Sequence, residues 1–402
     1  MQHPRTAALA ALLACALAHP ARAQLAALTP PSDAVGSLRL AAAVDSIARH
    51  AMREQSIPGL SVAIVKDGRV VLERGWGTER GKRPRAATGA TPYQIASVSK
   101  QFTAAAVLRL VEQGRVKLSD PVSAYVDGLP PAYGEVTLGR LLNHTAGVPN
   151  FTDFFRQFRR PLAPRQLVDS LARRRLLFEP GTGFRYSNSG YYLLGLVIER
   201  VTGGSYPDFL RAQFWAPLGM GETEYCGARP HSPVPAGYAR DRRGGAVRAA
   251  PWHPSVLFAA GSLCSTVGDL AQWAVALGEG RVLTPESYRE MTSPAPSPDP
   301  HLRMTYGYGM MVDTTDVGPY LHHDGAVSGF RAQVAWYPAE RMAVVVLMNQ
   351  GLAAPEPIER DLARAVLGMA PRGPRLAGPP SSPPAAATRT TAGSYPFPWQ
   401  EP

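Results

Sequence analysis

Residues 97–114 read Ser-Val-Ser-Lys-Gln-Phe-Thr-Ala-Ala-Ala-Val-Leu-Arg-Leu-Val-Glu-Gln-Gly. Apolar residues recur here at helical spacing, and Gly114 supplies a C-terminal stop, so the stretch predicts a helix over Ser97 to Gln113. Positions i and i+3 share a helix face, which brings Lys100 to the hydroxyl of Ser97. A serine hydroxyl is a poor nucleophile at neutral pH and needs a base. Ser97 stands where the helix starts, so free N–H groups and the positive dipole end favour anionic charge there. Lys100 serves as that base only if burial or nearby cations hold it neutral. Ser-x-x-Lys also occurs on ordinary helices, as an N-cap serine followed by a solvated lysine. Of the four lysines, Lys66, Lys82, Lys100 and Lys117, only Lys100 has a serine three positions earlier.

Upstream of this helix, Ser37 to about Gln55 alternates apolar and charged residues at helical spacing, and Pro58-Gly59 ends the pattern. Leu60–Val65 and Val70–Arg74 are β-branched runs around Lys66-Asp67-Gly68-Arg69, a hairpin signal. Downstream, Tyr191–Val201 predicts a helix ended by Gly203-Gly204, and Asp269–Leu277 another, with Thr266 or Asp269 as cap. Strands return at Gln333–Tyr337 and Met342–Met348, a second hairpin, and Pro357–Leu367 closes the pattern as an amphipathic helix. The order helix, strands, helical middle, strands, helix predicts an α+β fold. A mostly antiparallel sheet is covered by the terminal helices, with an α-rich region inserted in its middle. The sheet part runs over about 38–95 and 300–368 and the helical part over about 96–300, within a domain at 24–370. A cleft between the two parts is the expected place for chemistry.

Hydrophobic content of 45% and charged content of 18% suit a globular chain with a sizeable core. The net charge of +11 comes almost entirely from arginine, spread without the dense basic runs and interleaved aromatics of a nucleic-acid binder. Residues 1–23 read as an export signal: Arg5, an apolar stretch from Ala7 to Ala18 too short to span a bilayer, then Ala21-Arg22-Ala23 before Gln24. This predicts a periplasmic or secreted protein. Cys15 also permits a lipoprotein reading. No later run is long and apolar enough for a transmembrane helix. Cys226 and Cys264 form either one bridge in an oxidising compartment or two small buried residues. Residues 371–402 are Pro/Ala-rich and read as a disordered tail.

Two further stretches carry chemistry. In Tyr186-Ser187-Asn188 the tyrosine suits proton transfer and the asparagine suits binding a substrate amide, although a turn leading into the next helix is the plainer reading. In His323-Asp324-Gly325-Ala326 the histidine offers a hydrogen bond or positive charge from a strand edge, and the glycine admits a substrate backbone. A metal site from His322, His323 and Asp324 is the rival, without further ligands at suitable spacing.

Taken together and in this order, Ser97-x-x-Lys100, Tyr186-x-Asn188 and His323-x-Gly325 resemble the serine beta-lactamase-related superfamily. That superfamily includes class C beta-lactamases, D-alanyl-D-alanine carboxypeptidases, D-aminopeptidases and family VIII esterases. Leu118–Val122, Leu141–Gly147 and Ala260–Thr266 resemble its flanking segments, and the likeness covers about residues 38–368. The resemblance implies a beta-lactamase/transpeptidase-like fold and an acyl-enzyme on Ser97, with no cofactor. It implies proton transfer shared by Lys100 and Tyr186, Asn188 on the substrate amide, and an oxyanion hole from the N–H groups of Ser97 and Ala326. It also implies His323 facing the substrate, a small-molecule or peptide substrate such as a cell-wall peptide, and no nucleic acid. Class C beta-lactamases carry Lys-Thr-Gly where this chain has His-Asp-Gly, and histidine is less reliably cationic. This points away from strong beta-lactamase activity, and Asp324 there is expected to repel an anionic substrate. A non-catalytic scaffold on the same fold is the alternative of a different class, against which the intact Ser97, Lys100, Tyr186 and Asn188 argue.

Overall fold

The computed structural model describes residues 34–79, 85–228, 234–241, 245–295 and 305–372. The expected export segment, Cys15 and the tail from residue 373 lie outside the described residues. Among the described residues, no helix is long and apolar enough to cross a membrane.

Six strands form the main sheet: β1 (Gly59–Lys66), β2 (Arg69–Gly77), β3 (Met311–Thr314), β4 (Pro319–Val327), β5 (Phe330–Tyr337) and β6 (Met342–Met348). Their order is β2-β1-β6-β5-β4-β3, with every pair antiparallel. The first hairpin turns at Asp67 and Gly68, both with positive φ (51° and 72°), as an Asp-Gly turn requires. The N-terminal and C-terminal hairpins meet at the β1–β6 seam, where Leu60 lies opposite Met348 and Lys66 opposite Met342.

Every residue of β6 is buried because both faces of the sheet are covered. Met342, Val344, Val346 and Met348 face one side, where they pack with Val44 and Ala48 of α1 (Ala34–Glu54) and with Ile358 and Leu362 of the terminal helix (Glu356–Val366). Ala343, Val345 and Leu347 face the other side and join the larger core of the helical region. The two-residue side-chain period of a strand makes this division. It also explains why Met342–Met348 shows an uninterrupted apolar run.

The central helix α2 (Ser99–Glu112) lies inside the helical region, with Ser99 to Leu108 buried throughout. Ser97 precedes it on a 3-10 turn, Ala96–Val98, instead of occupying its first α-turn. Two other helices follow the expected pattern with longer starts: α3 (Asn188–Thr202), closed by Gly203 at φ 72°, and α4 (Val267–Gly278), capped by Thr266, whose side chain accepts from Asp269 N. Cys226 and Cys264 form a disulfide. It ties Leu263–Ser265 to the segment after Glu224–Tyr225 in a small three-stranded sheet whose third member is Tyr93–Gln94.

The bridge closes a loop between residues 38 apart in sequence. Replacing both cysteines by alanine is expected to lower the unfolding free energy by about 2–4 kcal/mol, chiefly by freeing the unfolded chain. Urea titration checks this: the midpoint falls in the variant, and an unchanged midpoint rejects it.

Candidate active site

The Ala96–Val98 turn that carries Ser97 is built from three sides. Ile95 N donates to Leu263 O at 3.0 Å, and Val98 N donates to Ile95 O at 3.2 Å. Behind it, Leu263 N donates to Ser99 Oγ at 3.2 Å. Ala96 sits at φ 46°, a left-handed conformation that costs a non-glycine residue on the order of 1–2 kcal/mol. The strand of Leu263 on one side and β4 on the other hold that conformation. A Cβ on Gly325 would lie 2.1 Å from Ile95 O. Gly325 therefore admits the protein's own turn before Ser97, where the sequence suggested room for a substrate backbone.

Lys100 is 0% exposed. Among the described residues its Nζ has three polar neighbours: Ser97 Oγ at 3.1 Å, Asn188 Oδ1 at 2.8 Å and Ala260 O at 2.7 Å. The ring of Tyr186 lies 4.8 Å from Nζ and that of Tyr191 5.4 Å. Burial holds the Lys100 pKa well below its usual 10.5, opposed only in part by the Asp324 carboxylate. A neutral amine has two N–H groups and one lone pair. Asn188 Oδ1 and Ala260 O can only accept, so they take both hydrogens. The lone pair is left for the Ser97 hydroxyl, which can donate.

Asn188 is the first residue of α3, and the preceding loop fixes its pose. Its backbone N donates to Asn150 Oδ1 at 3.0 Å, and its Nδ2 lies 3.4 Å from Thr152 Oγ1. Asn150 Nδ2 in turn donates to Thr152 Oγ1 at 2.7 Å and Asp153 Oδ1 at 2.9 Å. Tyr186 hydrogen-bonds Ser97, and burial raises its pKa, so the phenol stays protonated at neutral pH. Ser97, Lys100, Tyr186 and Asn188, read from two separate motifs, thus form one connected cluster.

His323 stands on the face of β4 shared with Gly325 and Val327, toward the helical region, but it is 1% exposed. Its Nδ1 donates to Asp324 O at 2.5 Å, and its Nε2 accepts from Tyr306 Oη at 2.9 Å. Burial pushes its pKa down to about 3. Of the hydrogen bond or positive charge expected from His323, the positive charge is absent: it is a neutral imidazole with both nitrogens engaged. Asp324 and His322 alternate to the opposite face, so the three residues do not converge as a metal site would require, and Asp324 does not front the cleft. β3 lies outside β4 but pairs with it only through Pro319–His322. Among the described residues, no strand covers the outer edge of β4 from His323 to Val327, a stretch that includes Ala326. No apolar alternation in Met311–Thr314 announces the extra strand.

Residue patterns missed three contributors. Ala260 acts through its carbonyl, which no side-chain motif reveals, although its segment carried part of the resemblance. Tyr306 and the Asn150–Thr152 pair show no signal in sequence, since their value lies in contacts across the fold.

The fold is that of the beta-lactamase/transpeptidase-like serine hydrolases, and the chain carries a Ser-x-x-Lys spacing at Ser97 and Lys100. The beta-lactamase family model matches residues 44–368, and the chain belongs to this family. It is similar to the D-amino acid amidase of Ochrobactrum anthropi SV3 (26% identity, TM-score 0.73, 82% of this chain and 99% of that one). It is also similar to an octameric penicillin-binding protein homologue of Pyrococcus abyssi (28% identity, TM-score 0.74, 82% and 78%). Among curated proteins, protein flp of Staphylococcus aureus strain N315 is 28% identical over 316 residues, 76% of this chain. The chain spans 38% to 62% of the length of the flp proteins it matches.

Gly325→Ala places a methyl group against Ile95 O and is expected to displace the nucleophile turn. Labelling of Ser97 by a fluorophosphonate probe should slow by about 10²-fold, the cost of a misplacement near 1 Å. Labelling at the wild-type rate in the folded variant would show that the turn does not depend on this contact.

Proposed function

We propose that this chain is an exported hydrolase that cleaves an amide, peptide or ester bond through an acyl-Ser97 intermediate. The carrying observation is the buried Lys100 amine, whose two hydrogens are taken by Asn188 Oδ1 and Ala260 O and whose lone pair faces Ser97. Ser97 Oγ attacks the carbonyl carbon while its proton passes to Lys100 Nζ. The N–H groups of Ser97 and Ala326 hold the oxyanion. The tetrahedral intermediate collapses, the bond to the leaving group breaks, and the proton returns to the leaving nitrogen or oxygen through the Tyr186 hydroxyl. Water then attacks the acyl carbon along the same path in reverse, releasing the acid and restoring Ser97. Tyr186 fits the relay better than the base, because burial keeps it protonated.

The neutral His323 narrows the substrate. A carboxypeptidase or beta-lactamase substrate brings a carboxylate beside the scissile bond, and the third motif here supplies no cation to meet it. The reading is therefore a D-aminopeptidase-like or amidase-like enzyme, or an esterase, in preference to a carboxypeptidase. Likeness to a D-amino acid amidase across 99% of that chain supports it. The Cys226–Cys264 bridge supports an oxidising compartment outside the cytoplasm, in keeping with the export signal read in residues 1–23.

The test compares D-amino-acid amides and short acyl esters with acyl-D-alanyl-D-alanine, for wild type and Ser97→Ala. Amides or esters should exceed the carboxylate substrate by about 10–100-fold in kcat/KM, the worth of one missing charged hydrogen bond. Ser97→Ala should abolish turnover. Preference for the carboxylate substrate would overturn the narrowing, and turnover by folded Ser97→Ala would overturn the acyl-enzyme.

The pH profile follows from Lys100. The base works when neutral, so kcat/KM rises with pH through the depressed lysine pKa and reaches its plateau well below 10.5. His323 is already neutral above its pKa of about 3 and adds no step between pH 5 and 8. A rise that begins only near 10.5 would contradict a buried neutral amine.

A further inference from the structure

His144 belongs to the Leu141–Gly147 segment, which the acyl-transfer scheme leaves without a role. It is 2% exposed and sits at φ 62°, a left-handed conformation that histidine, like asparagine and aspartate, adopts more readily than most non-glycine residues. Two bonds run from the residues on either side of Tyr186 to this one residue. Arg185 N donates to His144 O at 3.0 Å, and Ser187 N donates to His144 Nδ1 at 3.2 Å. The left-handed backbone accompanies an arrangement in which carbonyl and ring face the same loop. The next residues continue the attachment: Gly181 N donates to Thr145 O, and Leu177 N to Gly147 O.

Because Nδ1 accepts, the ring proton resides on Nε2, which is buried and has no hydrogen-bond partner among the described residues. The ring lies 4.3 Å from the Tyr186 ring, 4.7 Å from that of Tyr306 and 5.2 Å from that of Tyr191, centroid to centroid. Leaving a buried N–H unbonded costs free energy. A purely apolar ring in this place would avoid that cost but would forfeit the acceptor for Ser187 N. Lys100 and His323 are the charged or titratable groups that act on it besides these phenols, and burial keeps the imidazole neutral.

We infer that His144 is a positioning residue: its carbonyl and Nδ1 clamp the backbone on both sides of Tyr186 and hold the phenol against Ser97 and Lys100. The inference rests on the proposed role of Tyr186 as proton relay. The clamp requires an acceptor at the Nδ1 position on a residue that tolerates positive φ. Asparagine meets both conditions, with Oδ1 as acceptor. Leucine meets neither.

The experiment uses the full chain as wild type, His144→Asn, His144→Leu and Ser97→Ala. Each is assayed for kcat and KM on 4-nitrophenyl butyrate and on a D-amino-acid 4-nitroanilide, with Tm measured alongside. His144→Leu should lose about 10²-fold in kcat with KM changed by less than about threefold, and His144→Asn should recover to within about tenfold of wild type. Wild-type kcat in His144→Leu, or equal loss in His144→Asn and His144→Leu at similar Tm, would overturn the clamp. Nitrogen-15 NMR of the wild type gives a readout independent of variant folding. His144 should stay neutral with its proton on Nε2 from pH 5 to 8. Titration in that range, or a proton on Nδ1, would also overturn it. Turnover by Ser97→Ala would instead sink the underlying acyl-enzyme reading, whereas an inactive Ser97→Ala beside a fully active His144→Leu would remove the clamp alone.

Discussion

A lysine amine with no exposed surface must be kept from the cost of carrying charge in a dry interior, and the site is arranged around that constraint. Among the described residues the three polar neighbours of Lys100 Nζ are a hydroxyl, a side-chain amide oxygen and a main-chain carbonyl, none of them a carboxylate. Two of these can only accept. They orient the amine and leave its lone pair for the third. The same burial that depresses the lysine pKa raises that of Tyr186 and lowers those of His144 and His323. Desolvation favours the uncharged form of every member, so Lys100, Tyr186, His144 and His323 are all neutral together.

Holding such a cluster takes precise backbone placement, supplied from distant parts of the chain. Ala96 adopts a strained conformation because the strand of Leu263 and the face of β4 at Gly325 leave the turn little alternative. The Cys226–Cys264 bridge secures that same strand. A second strained residue, Phe258 at φ 45°, opens the short turn that delivers the Ala260 carbonyl to Lys100. Its ring packs against Tyr192 and Tyr206, which pin it in place. Strain at Ala96, His144 and Phe258 thus lies in or next to the Ser97–Lys100–Tyr186 cluster.

The departure at the third motif gains its meaning from this environment. A lysine at position 323 would meet Tyr306 and the Asp324 carbonyl in a fully buried pocket. A histidine can satisfy both while uncharged, donating from one nitrogen and accepting at the other. The chain thereby gives up a cation facing the cleft and gains a closed polar network behind it. That exchange separates the amidase-like or esterase-like reading from enzymes that anchor a substrate carboxylate.

Much of this molecule was legible in local pattern. Apolar periodicity and turn residues marked the two hairpins, the terminal helices and the helices after Asn188 and Thr266, because burial on a regular element writes its period into the chain. The spacing of Ser97 and Lys100 foretold their contact, since three residues apart is a near neighbour on either an α-helix or a 3-10 turn. Other features depend on contacts between elements that local periodicity does not connect, or on main-chain atoms, which carry no residue identity. These include the Ala260 carbonyl, the Gly325 approach to Ile95, the extra strand at Met311–Thr314, the pairing of Cys226 with Cys264 and the closure of His323 by Tyr306. By itself the sequence determined which groups were available for acyl transfer. Only the tertiary structure decided their protonation, because desolvation depends on what surrounds a group in space.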